Sequence, residues 1–187
     1  MSLIIGLTGL AGSGKGEVSK HLMENHDFIK FVFSDILKEE ANKQNLLKSK
    51  TYEEQKYVLS KLGEKMRKES GRWDILAIKL VEKIKNGDTD KIVVDGFRSV
   101  EEVNLFRKNF ENFYLVHIHT DIEKRFDRRR KEDSNAKIEN FEKRDRENMQ
   151  IMGLDKVLDM ASFKIDNNNS LENLHERIND VLNKTDY

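Results

Sequence analysis

Eight residues near the start of the chain constrain its fold more than any other stretch. Gly9, Leu10, Ala11, Gly12, Ser13, Gly14, Lys15 and Gly16 follow directly on the apolar run 3–7. A Gly-x-x-x-x-Gly-Lys spacing between an apolar strand and a helical pattern is that of a phosphate-binding loop. Glycines let the backbone turn tightly and approach a polyphosphate with no Cβ in the way. Successive N–H groups at a helix N-terminus then form an anion site before any side chain contributes. Lys15 adds a mobile positive charge toward the β and γ phosphates. The implied ligand is a nucleoside triphosphate, taken here as ATP.

Most such loops follow the lysine with Ser or Thr, whose hydroxyl ligates Mg²⁺, whereas this chain continues with Gly16 and Glu17. Mg²⁺ is therefore expected to be held mainly by triphosphate oxygens and water, which suits its reluctance to dehydrate.

The rest of the chain alternates short apolar runs with longer helical patterns. Strands are expected at 3–8, 28–32, 91–95, 114–119 and 162–165, and helices at 15–25, 35–42, 52–70, 74–86 and 99–109. Three charged helices span 121–160, and Ser170 begins a last one. Thr51 with Glu54 and Ser99 with Glu102 have capping-box spacing. Such alternation predicts an α/β fold of three layers, a five-stranded parallel sheet covered by helices on both faces. No repeat or linker divides the 187 residues, so a single domain is expected. That length suffices to bury roughly 70% of the surface exposed when unfolded.

Charge excludes more than it assigns. Lys plus Arg equals Asp plus Glu, 34 each, so nothing points to nucleic acid or an anionic membrane. The absence of Cys excludes disulfides, thiol chemistry and zinc–thiolate sites. No apolar run approaches the ~18 residues of a membrane span, and a cytoplasmic location is expected.

In parallel sheets ligands bind beyond the carboxyl ends of the strands. At the third strand end lies Val94-Asp95-Gly96-Phe97-Arg98. An acid closing a buried strand positions Mg²⁺ or its waters beside a triphosphate, which is the role expected of Asp95. Ser34, Asp35 and Lys38 follow the second strand, where a helix N-cap is the plain alternative for Ser34 and Asp35. Arg67 and Arg72 flank a helix end further on. After the fourth strand, Arg125 and Arg129 are four apart and share a helix face, with Arg128 and Arg130 as alternatives. Arg144 follows in the next helix. Asn167 stands in an Asn-rich loop after the last strand, where turn chemistry is a sufficient explanation. His117 and His119 alternate on a strand and read as structural.

Taken in order, these segments resemble the nucleoside monophosphate kinase group of P-loop proteins. The nearest likeness is the archaeal adenylate-kinase-related family, also labelled dephospho-coenzyme A kinase-like. Gly-Ser-Gly-Lys-Gly resembles the adenylate kinase loop, with Glu17 where Thr is usual. Asp95-Gly96-Phe97-Arg98 resembles Asp-Gly-Phe-Pro-Arg without its Pro, and implies that Arg98 holds an acceptor phosphate. Ser34-Asp35-Ile36-Leu37-Lys38 resembles Gly-Asp-Leu-Leu-Arg, with Lys38 in place of the phosphate-gripping Arg. The Arg pair implies a lid in which Arg125 packs on adenine and Arg129 contacts the phosphates. The final loop implies that Asn167 borders the adenine.

The resulting expectation is a kinase moving the ATP γ-phosphoryl to a nucleoside monophosphate or similar nucleotide. Lys15 and Arg129 would stabilise the moving group and Asp95 would organise Mg²⁺. Arg98, with Lys38 or Arg67 and near Ser34, would anchor the acceptor. Residues 35–85 would bind the acceptor and 121–150 would form the lid. Two alternatives remain: transfer to a hydroxyl, with Asp35 as base, and a nucleotide-dependent regulatory switch. The partner is a small nucleotide, with a monomer or homodimer expected.

Overall fold

A computed structural model describes residues 2–132, 137–150 and 153–185. Five parallel strands run β1 (Leu3–Thr8), β2 (Ile29–Val32), β3 (Lys91–Asp95), β4 (Phe113–His119) and β5 (Phe163–Asp166). Their spatial order is β2-β3-β1-β4-β5. The helices are α1 (Lys15–His26), α2 (Phe33–Lys43), α3 (Tyr52–Ser70), α4 (Ile75–Lys85), α5 (Val100–Asn109), α6 (Ile122–Glu132), α7 (Ile138–Gln150), α8 (Leu154–Asp159) and α9 (Leu171–Leu182). Of the expected lid, residues 133–136 lie outside the described residues.

The central strand β1 is buried along its whole length. Side chains alternate across a strand, and that alternation builds two cores. Leu3, Ile5 and Leu7 join Val93, Val116, Ile165 and the inner faces of α1 and α9. Ile4 turns to the other side, where Leu80, Val94 and Val103 pack with four phenylalanines. There Phe97 meets Phe33 and Phe106 edge-on, with centroids 5.0 and 4.9 Å apart. Gly6 is needed beneath this wall, because a Cβ would stand 2.7 Å from the Phe113 ring and 2.8 Å from Phe97.

The aromatic wall also explains where an expected boundary moves. Helix α2 starts at Phe33, not at Asp35, with Val32 as its extended N-cap. Burying Phe33 against Phe97 draws the chain into the helix two residues early, so neither Ser34 nor Asp35 is the cap. Phe28 is buried but precedes β2, and Phe113 joins β4 opposite Ile4. Both expected capping boxes form, at Thr51–Glu54 and Ser99–Glu102. Among the described residues no helix is long and apolar enough to cross a membrane.

Candidate active site

The phosphate-binding loop leaves β1 at Thr8, whose hydroxyl donates to the Phe97 carbonyl at 3.0 Å. Two glycines are required by conformation and space together. Gly9 (φ 142°) carries no Cβ that could strike the Ile118 carbonyl, and Gly14 (φ 104°) none that could strike the Asn167 amide. Gly16 is different, since it lies in the first turn of α1 with open space around it.

Every carbonyl from Gly9 to Ser13 accepts a hydrogen bond from a side chain. Lys15 Nζ donates to Gly9 at 2.7 Å and to Leu10 at 3.0 Å. Arg125 Nη1 donates to Ala11 at 3.1 Å and Arg128 Nη1 to Gly12 at 2.9 Å. The Ser13 carbonyl accepts from Thr120 Oγ1 at 2.8 Å and from Asn167 Nδ2 at 2.9 Å. With its oxygens engaged by side chains, the loop keeps N–H groups available. Those of Gly14, Lys15 and Gly16 have no acceptor among the described residues. This is a preformed anion nest, and it fits a polyphosphate.

Burial lowers the Lys15 pKa to about 8; the positive charges of Arg98, Arg144 and Arg125 push the same way and Asp95 opposes them. A lysine held in that state gains much from an arriving polyanion. Glu17 is directed elsewhere, with its carboxylate 3.9 Å from His175 Nε2 on α9.

Asp95 closes β3 beside Lys15. Its Oδ1 is buried without a hydrogen-bond partner among the described residues, and its Oδ2 lies 3.8 Å from Lys30 Nζ. The unpartnered oxygen fits a water-coordinated Mg²⁺, because a hydrated cation supplies the donors it lacks. Lys30 escaped the sequence reading. Its signal is a lone cation inside the apolar run 28–32. The register Val32↔Asp95 then sets Lys30 and Asp95 on one face by the two-residue period.

Arg98 leaves the same strand end exposed at the surface, although protein crowds part of it. That crowding lowers its pKa, assisted by Arg144 and Arg67 and opposed by Glu102 and Asp95. Glu102, 1% exposed, lies under it. Glu102 Oε2 accepts the N–H groups of Arg98 at 2.9 Å and Ser99 at 3.2 Å, while Oε1 faces Arg67 Nη2 at 3.5 Å. Burial raises the Glu102 pKa against the hydrogen bonds and charge of these neighbours. Its capping spacing was visible in the sequence, but its contact with Arg67 was not. Lys15, Arg98, Arg144 and Arg67 thus gather around two carboxylates.

Other expected residues stand further out. Asp35 and Lys38 pair with each other at 2.7 Å, both about half exposed (side chains 49% and 52%). Arg72 pairs with Asp74 at 2.8 Å. Ser34 lies in the first turn of α2 and Arg129 is partly buried on α6.

Arg125 differs most from the picture of an adenine cover. It is 3% exposed and donates to Thr120, to Ala11 and, at 2.6 Å, to Asp145 Oδ2 of α7. Its guanidinium lies 5.2 Å from the Phe141 ring centroid. A base could reach it only after these contacts opened. The neighbouring Arg128 instead spans the gap between the two loops, donating to the carbonyls of Gly12 at 2.9 Å and Asn167 at 3.3 Å.

Comparison with known proteins agrees with this geometry. A family model described as an AAA domain matches residues 5–150. A UPF0200 protein of Methanoregula boonei is 32% identical over 182 residues, covering 96% of this chain and 95% of its own length. Another from Thermococcus kodakarensis is 31% identical over 189 residues, covering 97% of each. Among solved structures, shikimate kinase from Bacteroides thetaiotaomicron superposes with a TM-score of 0.61 at 12% identity, over 97% of this chain and 98% of its own. Shikimate kinase from Acinetobacter baumannii gives 0.58 at 16% identity, over 97% and 92%. These structural likenesses establish the fold as a kinase-like P-loop fold. The nest at residues 9–16, the acid closing β3 and the near full-length likeness to archaeal relatives converge: the chain belongs to the UPF0200 family of AAA-domain P-loop proteins.

Proposed function

We propose that the chain is a phosphotransferase that moves the γ-phosphoryl group of ATP to a nucleoside monophosphate or similar nucleotide. The observation that carries this reading is the placement of Arg98 and Arg67 in one electrostatic cluster with Lys15 and Asp95, beside a nest built for a triphosphate. Two adjoining anion sites are what a donor and a phosphate-bearing acceptor require.

The residues divide the work as follows. The amides of Gly14, Lys15 and Gly16 hold the donor phosphates. Lys15 swings from the Gly9 and Leu10 carbonyls to the β and γ oxygens. Asp95 would hold Mg²⁺ through water, and the ion when bound supplies charge that offsets the phosphate oxygens. Arg98 and Arg67 align the acceptor within residues 35–85. Arg129 and Arg144, in a lid over 121–150, surround the transferred group, and Arg128 flanks the base near Asn167. An acceptor phosphate oxygen attacks the γ-phosphorus and ADP departs with the electron pair of the broken bond. The attacking oxygen is already anionic, so positioning and electrostatics suffice without a base.

The ion pair between Asp35 and Lys38 weighs against the alternative of transfer to a hydroxyl. A general base there would first have to give up its lysine partner. A panel of nucleoside monophosphates and dephospho-coenzyme A, assayed with ATP and Mg²⁺ for ADP release, tests the proposal. Asp35→Asn should keep kcat, and Arg98→Ala should raise the acceptor KM by about tenfold or more. Loss of kcat in Asp35→Asn would move the reading to a hydroxyl acceptor. If no acceptor accelerates ADP release, the regulatory-switch reading replaces both.

A further inference from the structure

Glu102 is a buried acid apart from the phosphate chemistry, yet it joins two regions of the molecule that the proposed reaction must align. One carboxylate oxygen fixes the backbone at Arg98 and Ser99, where β3 passes into α5. The other faces Arg67, 35 residues away on α3, whose Nε is buried with no hydrogen-bond partner among the described residues. A capping box needs only the first of these contacts, because its acidic residue serves its own helix start. The second ties the α3 helix to the end of the sheet. The charges do not balance within this group either. The Arg67 guanidinium faces the buried carboxylate directly, and that of Arg98 lies within its electrostatic reach, so two cations neighbour one buried acid.

We propose that Glu102 is a positioning residue for the acceptor. By fixing the backbone that carries Arg98 and drawing in the side chain of Arg67, it sets both guanidiniums around one anionic group of the incoming substrate. This inference rests on the reading of the cleft as an acceptor site. It assigns Glu102 no contact with substrate, since its oxygens already face protein donors.

The test uses the full chain presaturated with Mg-ADP and AMP as the probe, with binding followed by calorimetry. Glu102→Gln keeps the size and an oxygen for the cap but removes the charge that holds Arg67. It should weaken AMP binding by about tenfold while leaving Mg-ADP affinity within twofold of wild type. Arg67→Ala should weaken AMP binding similarly, and the double variant should bind AMP no worse than Arg67→Ala alone. Additive losses in the double variant would show that Glu102 does not act through Arg67, which overturns the proposal. Hydrogen exchange gives an arm independent of the acceptor. Amides in the last two turns of α3 should exchange at least threefold faster in Glu102→Gln, and unchanged exchange overturns the tie. Should wild type bind no AMP, the nucleotide-acceptor reading fails by itself and the exchange result still decides whether Glu102 holds Arg67.

Discussion

Removing the Arg125 guanidinium should damage this protein far more than removing the carboxylate it pairs with, and the structure gives the sizes. Arg125 is buried, with hydrogen bonds to Thr120, Ala11 and Asp145. Arg125→Ala strands Asp145, which is 8% exposed and already has Oδ1 without a partner. Breaking a buried pair from one side costs about 3–5 kcal/mol, a large part of a typical stability of ~5–15 kcal/mol. In a chain of this size each kcal/mol moves Tm by about 2–4 °C, so a fall of roughly 6–20 °C follows. Asp145→Ala leaves the guanidinium two backbone acceptors and should cost only about 1.5–3 kcal/mol. Arg125→Met with Asp145→Leu removes both charges at similar volume and should recover most of the stability. It releases the Ala11 carbonyl all the same, and affinity for a non-hydrolysable ATP analogue should drop on the order of tenfold. Urea unfolding at constant m-value, with calorimetric titration, measures both quantities. Equal losses for the two single variants, or a double variant as unstable as Arg125→Ala, would refute the reasoning.

Other expectations follow from particular residues. Gly14→Ala should abolish nucleotide binding, because a Cβ meets the Asn167 amide at a φ of 104°, whereas Gly16→Ala in open helical space should bind within a few-fold of wild type by titration. Lys15 titrates near pH 8 in the nucleotide-free protein, and only its charged form attracts phosphate. Nucleotide affinity should therefore be full below that pH and fall as pH rises through 8. Bound phosphates raise its pKa, so binding at pH 8–9 should take up a proton, measurable by titration in buffers of different ionisation enthalpy; no uptake would contradict the assignment. Phe97→Ala, at the centre of the aromatic wall, should cost about 3–5 kcal/mol in denaturant unfolding and leave the phosphate nest itself intact.

What could be read from the sequence was whatever local chemistry decides. The loop at 9–16 announces itself because only glycine permits its backbone, and the capping boxes at Thr51 and Ser99 because their partners lie three residues on. Boundaries moved where distant packing intervenes: Phe33 enters α2 early because Phe97 awaits it across the sheet. Lys30 beside Asp95 was hidden, since their proximity depends on the pairing of β2 with β3 and not on any spacing along the chain. The arginines of α6 were hardest. Their four-residue spacing names a shared face, but a helix so rich in charge carries no apolar stripe to say which face turns inward. Phe141 and Asp145 of α7 settle that, taking Arg125 inside and leaving Arg128 across the loops.

The side-chain donors that hold the carbonyls of the phosphate loop have a consequence for biosynthesis. Lys15 serves Gly9 and Leu10 from within the motif, but the donors to Ala11, Gly12 and Ser13, namely Arg125, Arg128, Thr120 and Asn167, all come from the later part of the chain. The motif is translated long before these donors, and its mould is complete only once residue 167 has left the ribosome. A nascent chain shorter than that owns the glycines and the lysine but lacks the scaffold that keeps their amides available, so nucleotide cannot act as an early folding aid.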